Sequence, residues 1–317
     1  MPQFINELNE AQKEAVLSLE GPNMILAGAG SGKTRVLTYR IAHLLHNGID
    51  AFNILSLTFT NKAAKEMRER IEKIVGLEAR SLWMGTFHSI FSRILRTESD
   101  KIGFPYNFTI YDTSDAKNLL KSIIKELKLD DKIYKPNMVY SRISAAKNNL
   151  ISAKAYNADS AILNEDKMMA KPEIGRIYTI YNNRCIKAAA MDFDDLLFLT
   201  YKLFKLFPDT LLKYQNLFKY VLVDEYQDTN YAQYVIVKML AKKNQKICVV
   251  GDDAQSIYSF RGANIENILN FKKDYKDAGT YKLEQNHRST KNIVNAANAI
   301  IANNENQFQK DVWTDNE

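Results

Sequence analysis

Eight consecutive residues, Ala27-Gly28-Ala29-Gly30-Ser31-Gly32-Lys33-Thr34, narrow the folds open to this chain more than any other stretch. They follow a short apolar run, Met24-Ile25-Leu26-Ala27, and precede Val36-Leu37-Tyr39-Arg40-Ile41-Leu44-Leu45, whose apolar residues recur at helical spacing. Strand, glycine loop, helix is the order a phosphate-binding loop requires. Its glycines let successive backbone N–H groups turn inward as an anion nest, and the helix points its positive end at the phosphate. Lys33 adds a point charge and Thr34 a hydroxyl for Mg2+. The strict pattern has glycine where Ala27 stands, but the inner glycines and the Gly-Lys-Thr core are intact. Ala29, Gly30, Ser31, Gly32, Lys33 and Thr34 are therefore the expected phosphate contacts.

A second stretch, Val221-Leu222-Val223-Asp224-Glu225-Tyr226-Gln227-Asp228, completes the chemistry. Its acids end an apolar strand, and open α/β sheets bind ligands at carboxyl strand ends. Asp224 is placed to hold Mg2+, directly or through water. Glu225 is then free to orient and deprotonate an attacking water, which favours hydrolysis over transfer to an acceptor.

The chain has 317 residues, of which 46% are hydrophobic, enough for one large core or two modest ones. Lys plus Arg is 43 against 37 Asp plus Glu, a net +6 that suits a polyanionic partner. Cys185 and Cys248 lie far apart with no Cys-x-x-Cys spacing, so neither a zinc site nor a disulfide framework is indicated and a reducing cytoplasm is the expected compartment. No signal-like h-region or long uncharged apolar run is present, and no membrane association is expected.

Short strands alternate with helices through the first hundred residues, at residues 24–27 and 54–57, with a turn at 84–86, which is the rhythm of a parallel sheet. From about Tyr111 to Ala190 the pattern is helical alone, and strands resume at 220–223 and 247–250. The fold expected is α/β, a RecA-like P-loop parallel sheet interrupted by an all-helical insertion. Its segments are 1–110, the first part of the sheet domain; 111–190, the insertion; 191–284, the second part; and 285–317, the start of a second RecA-like domain.

Further motifs stand in a fixed order. Leu8-Asn9-Glu10-Ala11-Gln12 precedes the loop; Thr58-Phe59-Thr60-Asn61-Lys62-Ala63-Ala64 and Gly85-Thr86-Phe87-His88-Ser89 follow it. Then come Asp192-Phe193-Asp194-Asp195-Leu196-Leu197, the run from Gly251-Asp252-Asp253-Ala254-Gln255 through Tyr258-Ser259-Phe260-Arg261-Gly262-Ala263, and Gln285-Asn286-His287-Arg288-Ser289-Thr290. In this order they resemble the amino-terminal half of the UvrD/Rep/PcrA-like superfamily-one DNA helicases, over Leu8 to about Thr290.

That resemblance implies roles position by position. Gln12 would hydrogen-bond the adenine edge and Arg35 pack on its face; Gln255 would contact the γ-phosphate or its water and couple the nucleotide to DNA; Arg288 would reach the γ-phosphate. ATP and Mg2+ are the implied cofactors, single-stranded DNA and duplex junctions the implied partners. Phe59, Tyr258 and Phe260 would stack bases at about 1 to 3 kcal/mol each without sequence preference. Thr60, Asn61, His88 and Arg261 would hold the strand's backbone. Phe87 and Phe193 are expected in the core. The alternating charges of residues 62–73 describe a salt-bridged helix face, and Asp192 is expected to cap the helix that follows it.

Two departures from the family pattern reduce ring area. His287 stands where tyrosine commonly stacks on adenine, and Phe260 where tryptophan is common, so weaker discrimination for adenine is expected. After Thr290 the chain ends at Glu317, before the family's later motifs, including an arginine finger worth on the order of 10^3 to 10^5 in turnover. The expectation is an amino-terminal portion that binds ATP-Mg, and DNA with it, but needs the remainder of its own helicase chain to unwind; its direction would be 3′ to 5′ by resemblance. Two other readings stay open. The motor of a recombination helicase-nuclease would show a nuclease domain downstream, and a non-catalytic ATP- or nucleic-acid-binding module would bind nucleotide without strand-stimulated turnover.

Overall fold

The computed structural model describes residues 2–256, 262–304 and 307–317. The chain forms two compact units, one of Met1–Ile90, Leu211–Thr229 and Val237–Glu317, the other of Phe91–Thr210 and Asn230–Ile236.

The first unit is built on a six-stranded sheet. Its strands are β1 (Asn23–Ala27), β2 (Ile54–Thr58) and β3 (Trp83–Thr86), and, much later in the chain, β6 (Tyr220–Val223), β7 (Ile247–Gly251) and β8 (Gly279–Leu283). Their order across the sheet is β3-β2-β6-β7-β1-β8, and every pairing is parallel. β1, β2, β6 and β7 are buried at every position. A strand covered on both faces reads as a continuous apolar run, which is why these four were visible as Met-Ile-Leu-Ala or Tyr-Val-Leu-Val. Residues 84–86, expected as a turn, belong to strand β3. Edge strand β8, half-buried at Gly279, Thr280 and Tyr281, exposed at Lys282 and buried at Leu283, carries no such run and was not expected.

The helix Lys33–His46 supplies Val36, Leu37, Ile41, Leu44 and Leu45 to the core, where they meet Ile25 and Ala27 of β1 and Leu222 and Val250 of the neighbouring strands. Each fully buried aliphatic side chain of this kind contributes about 1.5 to 3 kcal/mol. The helix Asn61–Val75 turns only Ala64, Met67 and Ile71 inward. Its outer face carries the expected i, i+4 pairs, Lys62 with Glu66 and Lys65 with Glu69, both at 3.9 Å.

The second unit is mainly helical. A core of Leu120, Ile123, Ile143, Ile177, Tyr178 and Tyr181 joins the helices Thr113–Glu126, Pro136–Asn148 and Ile174–Lys187. It is not helices alone. β4 (Thr109–Tyr111) and β5 (Ala190–Asp192) pair in parallel at the two ends of the helical run, three residues each and too short to show a period. Asp192 caps the helix Phe193–Leu206 as expected, accepting from the Asp195 amide at 2.8 Å in a reciprocal capping box. Phe193, expected in the core, lies outside it. It is 44% exposed in the first turn of that helix, while the helix buries Leu196, Leu197, Thr200, Leu203 and Phe204 instead.

The same cap anchors a buried charge cluster. Lys147, 1% exposed, places Nζ 2.7 Å from Asp192 Oδ2 and 2.8 Å from Asp195 Oδ1, and the Tyr181 hydroxyl donates to Asp192 Oδ2 at 2.8 Å. Burial opposes the lysine's charge, yet the two carboxylates hold its pKa well above the ordinary lysine value. Among the described residues no helix is long and apolar enough to cross a membrane.

Candidate nucleotide-binding site

Strand order creates the site. β7 lies between β1 and β6, with Leu26 level with Gly251 and Val223 level with Val249, so the loops leaving these strands emerge side by side at one edge of the sheet. That edge is where open α/β sheets bind ligands. It joins residues nearly two hundred positions apart.

The loop after β1 bends through left-handed glycines, Gly30 at φ 72° and Gly32 at φ 89°, and Gly32 opens the helix Lys33–His46. There is also no room for side chains: a Cβ on Gly32 would lie 2.9 Å from Gln12 Nε2, and one on Gly30 2.9 Å from the Asn286 amide and Arg288 Cβ. The loop's carbonyls are all engaged. The Ser31 hydroxyl donates to the Gly28 carbonyl at 2.7 Å, Asn286 Nδ2 to Ala29 at 2.6 Å, the His287 amide to Gly30 at 3.0 Å and Gln12 Nε2 to Ser31 at 3.1 Å. The Gly28 and Ser31 amides donate to the Leu283 and Gly28 carbonyls, both at 3.3 Å, so with the carbonyls pinned the remaining amides, from Ala29, Gly30 and Gly32 into the first turn of the helix, are the groups offered to an anion.

Lys33 Nζ lies 3.2 Å from Glu225 Oε2, joining the two motifs directly. The Asp224 amide is held by the Leu57 carbonyl of β2 at 2.9 Å, and the Glu225 amide by Asp224 Oδ1 at 3.0 Å. Glu225 itself adopts φ 49°, ψ 47°, a left-handed backbone that costs a non-glycine residue about 1 to 2 kcal/mol. Burial, reinforced by the Glu225 charge, pushes Asp224 up to about 7; the same causes push Asp228 up to about 6.

These residues fit Mg2+. Thr34 and Asp224 offer hard oxygen ligands, and Asp228 Oδ1 is buried in charge range of Lys33 and Glu225 with no hydrogen-bond partner among the described residues, as an acceptor for a metal-bound water would be. Among the described residues no group of three or more His, Cys, Asp or Glu could hold a metal alone. Phosphate oxygens and water would complete the shell, the usual pattern for Mg2+.

The residues expected at the base are engaged with the protein. Gln12, 2% exposed, forms a capping box with Asn9 as well as its bond to Ser31. Arg35 donates to the Glu7 carbonyl at 3.0 Å and lies 5.3 Å from the centroid of the Tyr39 ring. His287 and Arg288 are exposed, their backbones fixed over the loop by Asn286, whose Oδ1 accepts from the Arg288 amide at 2.7 Å. Gln255 donates to Asp252 Oδ2.

On the strand-contact side, Phe59 packs 5.5 Å from buried Phe87, half-buried at the end of β2. Thr60 accepts from the Ala63 amide as an N-cap at 3.1 Å, and Asn61 is exposed. Burial drops His88 to about 4, so it is a neutral hydrogen-bonding group at physiological pH rather than a cation. Unfolding returns this imidazole toward its ordinary 6.5, so its contribution to stability is present above pH 6.5 and lost as pH falls toward 4. The His88 ring protons should accordingly show no NMR titration between pH 5.5 and 8; a midpoint near 6.5 would contradict the burial argument. Tyr258, Phe260 and Arg261 lie outside the described residues.

Three residues with clear geometric roles were not singled out from the sequence. Asn286 and Gln227 stand within the motifs at 285–290 and 221–228, where their amide chemistry is the only signal. Lys310 offered none: it is 5% exposed as a side chain, 2.7 Å from Asp252 Oδ1, and also paired with Asp253. Near it, the Trp313 amide donates to the Glu284 carbonyl, the Asn286 amide donates to the Trp313 carbonyl, and Val312 packs on Gly28.

A parallel sheet with a glycine-turned phosphate loop beside an Asp-Glu pair defines the RecA-like class of P-loop proteins. Residues 8–276 match the UvrD/REP helicase N-terminal domain, and the chain belongs to that family. It is 49% identical over all 317 residues to the ATP-dependent DNA helicase PcrA of Staphylococcus aureus, and 48% identical to that of Staphylococcus epidermidis. The chain spans 43% of the length of each of these relatives.

Proposed function

We propose that this chain is the ATP-binding motor portion of a DNA helicase that couples ATP hydrolysis to movement along single-stranded DNA in the 3′ to 5′ direction. The observation that carries the reading is the 3.2 Å approach of Lys33 to Glu225 beside buried Asp224, at the edge where β1, β7 and β6 end. Loop amides and Lys33 bind the phosphates, Glu225 takes the proton of the attacking water, and Gln255 and Arg288 bear on the γ-phosphate. Gln12, Arg35 and His287 take the adenine side, which requires Arg35 to leave Glu7. Mg2+, held by Thr34 and Asp224, supplies neutralising charge. Phe59, Thr60, Asn61 and His88, with Tyr258, Phe260 and Arg261, form the strand path, in a cytoplasmic enzyme.

The corresponding domain reading is a first RecA-like domain of residues 1–110 and 191–284, an insertion of 111–190, and the opening of a second RecA-like domain at 285–317, which here packs on the sheet unit. These 317 residues alone would bind ATP-Mg and single strands without unwinding. The test is ATP hydrolysis by this chain with and without an unstructured oligonucleotide at fixed low salt, since phosphate contacts are salt-sensitive. Saturable nucleotide and strand binding with slow turnover is expected. Strand-stimulated turnover at the pace of a complete helicase would overturn the incomplete-motor reading, and absence of nucleotide binding would overturn the whole. Phe59→Ala should weaken strand binding roughly 5- to 150-fold, the equivalent of 1 to 3 kcal/mol of lost stacking, with ATP affinity unchanged; unchanged strand affinity would remove Phe59 from the path.

A further inference from the structure

Gln227 lies two residues beyond Glu225 and is 1% exposed. Both ends of its amide are used. Nε2 donates to Glu225 Oε2 at 2.9 Å, the carboxylate oxygen that also meets Lys33, and Oε1 accepts from the Asp252 backbone amide at 3.0 Å. The side chain thus spans from the acid after β6 to the first residue after β7. It fills the space over Gly251, where a Cβ would lie 2.5 Å from Gln227 Oε1 and 2.8 Å from Ile268 Cδ1. Asp252 in turn accepts from Gln255 and from Lys310.

An amide is suited to this position because it presents a donor and an acceptor at once. Glutamate could accept from Asp252 but could not donate to Glu225, and methionine could do neither. The Glu225 carboxylate, on a left-handed backbone and only half-buried, has few other restraints on its rotation: Lys33 attracts it from one side and Gln227 fixes it from the other.

We infer that Gln227 is a positioning residue for ATP hydrolysis, holding the Glu225 carboxylate in the orientation that meets the attacking water and tying that orientation to the segment after β7 that carries Gln255. The inference rests on the hydrolytic reading of Glu225 given above. Gln227 touches no substrate and acts through Glu225, so its loss should slow the chemical step and leave nucleotide binding in place.

The measurement is single-turnover hydrolysis of γ-labelled ATP with this chain in excess and Mg2+ present, which follows rates too slow for steady-state assays. Affinity for a non-hydrolysable ATP analogue is measured in parallel. Gln227→Met and Gln227→Glu should each lower the hydrolysis rate about 10- to 100-fold, with analogue affinity within about 3-fold of the parent. Gln227→Glu keeps the acceptor toward Asp252 but sets a second carboxylate against Glu225, whereas Gln227→Met adds no charge, so a loss of rate common to both variants reads the missing donor, and retained analogue affinity in either variant reports an intact loop. The doubly substituted chain with Glu225→Gln and Gln227→Met should hydrolyse no more slowly than Glu225→Gln alone, because groups acting as one unit are not additive. Parental rates in the Gln227 variants, or multiplicative losses in the double variant, would overturn the inference while leaving the function standing. Full activity in Glu225→Gln would overturn both.

Discussion

Glu225→Gln should slow single-turnover ATP hydrolysis by about 10^2- to 10^4-fold, the range that a positioned general base contributes. The substitution preserves shape and the left-handed backbone position while removing the ability to take a proton. It also removes the charge facing Lys33 Nζ at 3.2 Å, so ATP affinity should hold or rise slightly as the lysine becomes free for phosphate. Removing the neighbouring charge should further let Asp224 ionise more readily, since Glu225 is one of the causes that hold it near 7. Rapid-quench hydrolysis together with equilibrium binding of ATP separates the two effects. A variant that hydrolyses within a few-fold of the parent would show that Glu225 is not the base, and a variant that no longer binds ATP would show that the acid shapes the loop.

The second large effect concerns stability and lies away from the nucleotide. Lys147→Met should destabilise the helical unit by about 3 to 5 kcal/mol, the cost of leaving a buried ionic cluster without its cation. Asp192 and Asp195 would remain in the interior, and Asp192 would lose its 2.7 Å partner while still capping the helix Phe193–Leu206. For a unit of this size the loss corresponds to a fall in melting temperature on the order of 10 °C. Calorimetry with the unlabelled protein reads it directly. The variant should partly recover at low pH: without Lys147 the carboxylates gain protons readily, and their neutral forms are the cheaper ones to bury. A melting temperature unchanged at neutral pH would mean that the cluster contributes nothing, as can happen when desolvation balances attraction.

Much of the sheet and its phosphate loop could be read from the residues because their local chemistry is exclusive. Only a continuous apolar run suits a strand covered on both faces, and only glycine tolerates the backbone of positions 30 and 32 with Gln12, Asn286 and Arg288 packed against them. The capping role of Asp192 was legible for the same reason, being set by residues within one turn. What could not be read depends on partners far away in the chain. Lys310 finds Asp252 and Asp253 across 58 and 57 positions, and Lys147 finds Asp192 across 45. Nothing within either sequence neighbourhood announces a buried ion pair. β8 was missed because an edge strand is only partly covered and its Gly-Thr-Tyr-Lys-Leu sequence forms no apolar run, and β4 and β5 because three residues establish no alternation. Phe193 was assigned to the core by its type, whereas its place in the first turn of its helix decided its exposure.

The loop that follows β1 is complete by Thr34, yet the groups that hold its carbonyls include Asn286 and His287. On a ribosome adding about 5 to 20 residues per second, those partners arrive on the order of ten to fifty seconds after the loop itself. For most of that interval β1 also lacks both its neighbours in the sheet, β7 and β8. A nascent chain of this protein therefore carries an unpaired apolar strand through roughly two hundred residues of elongation, and the loop gains its last carbonyl partners only when Asn286 and His287 emerge.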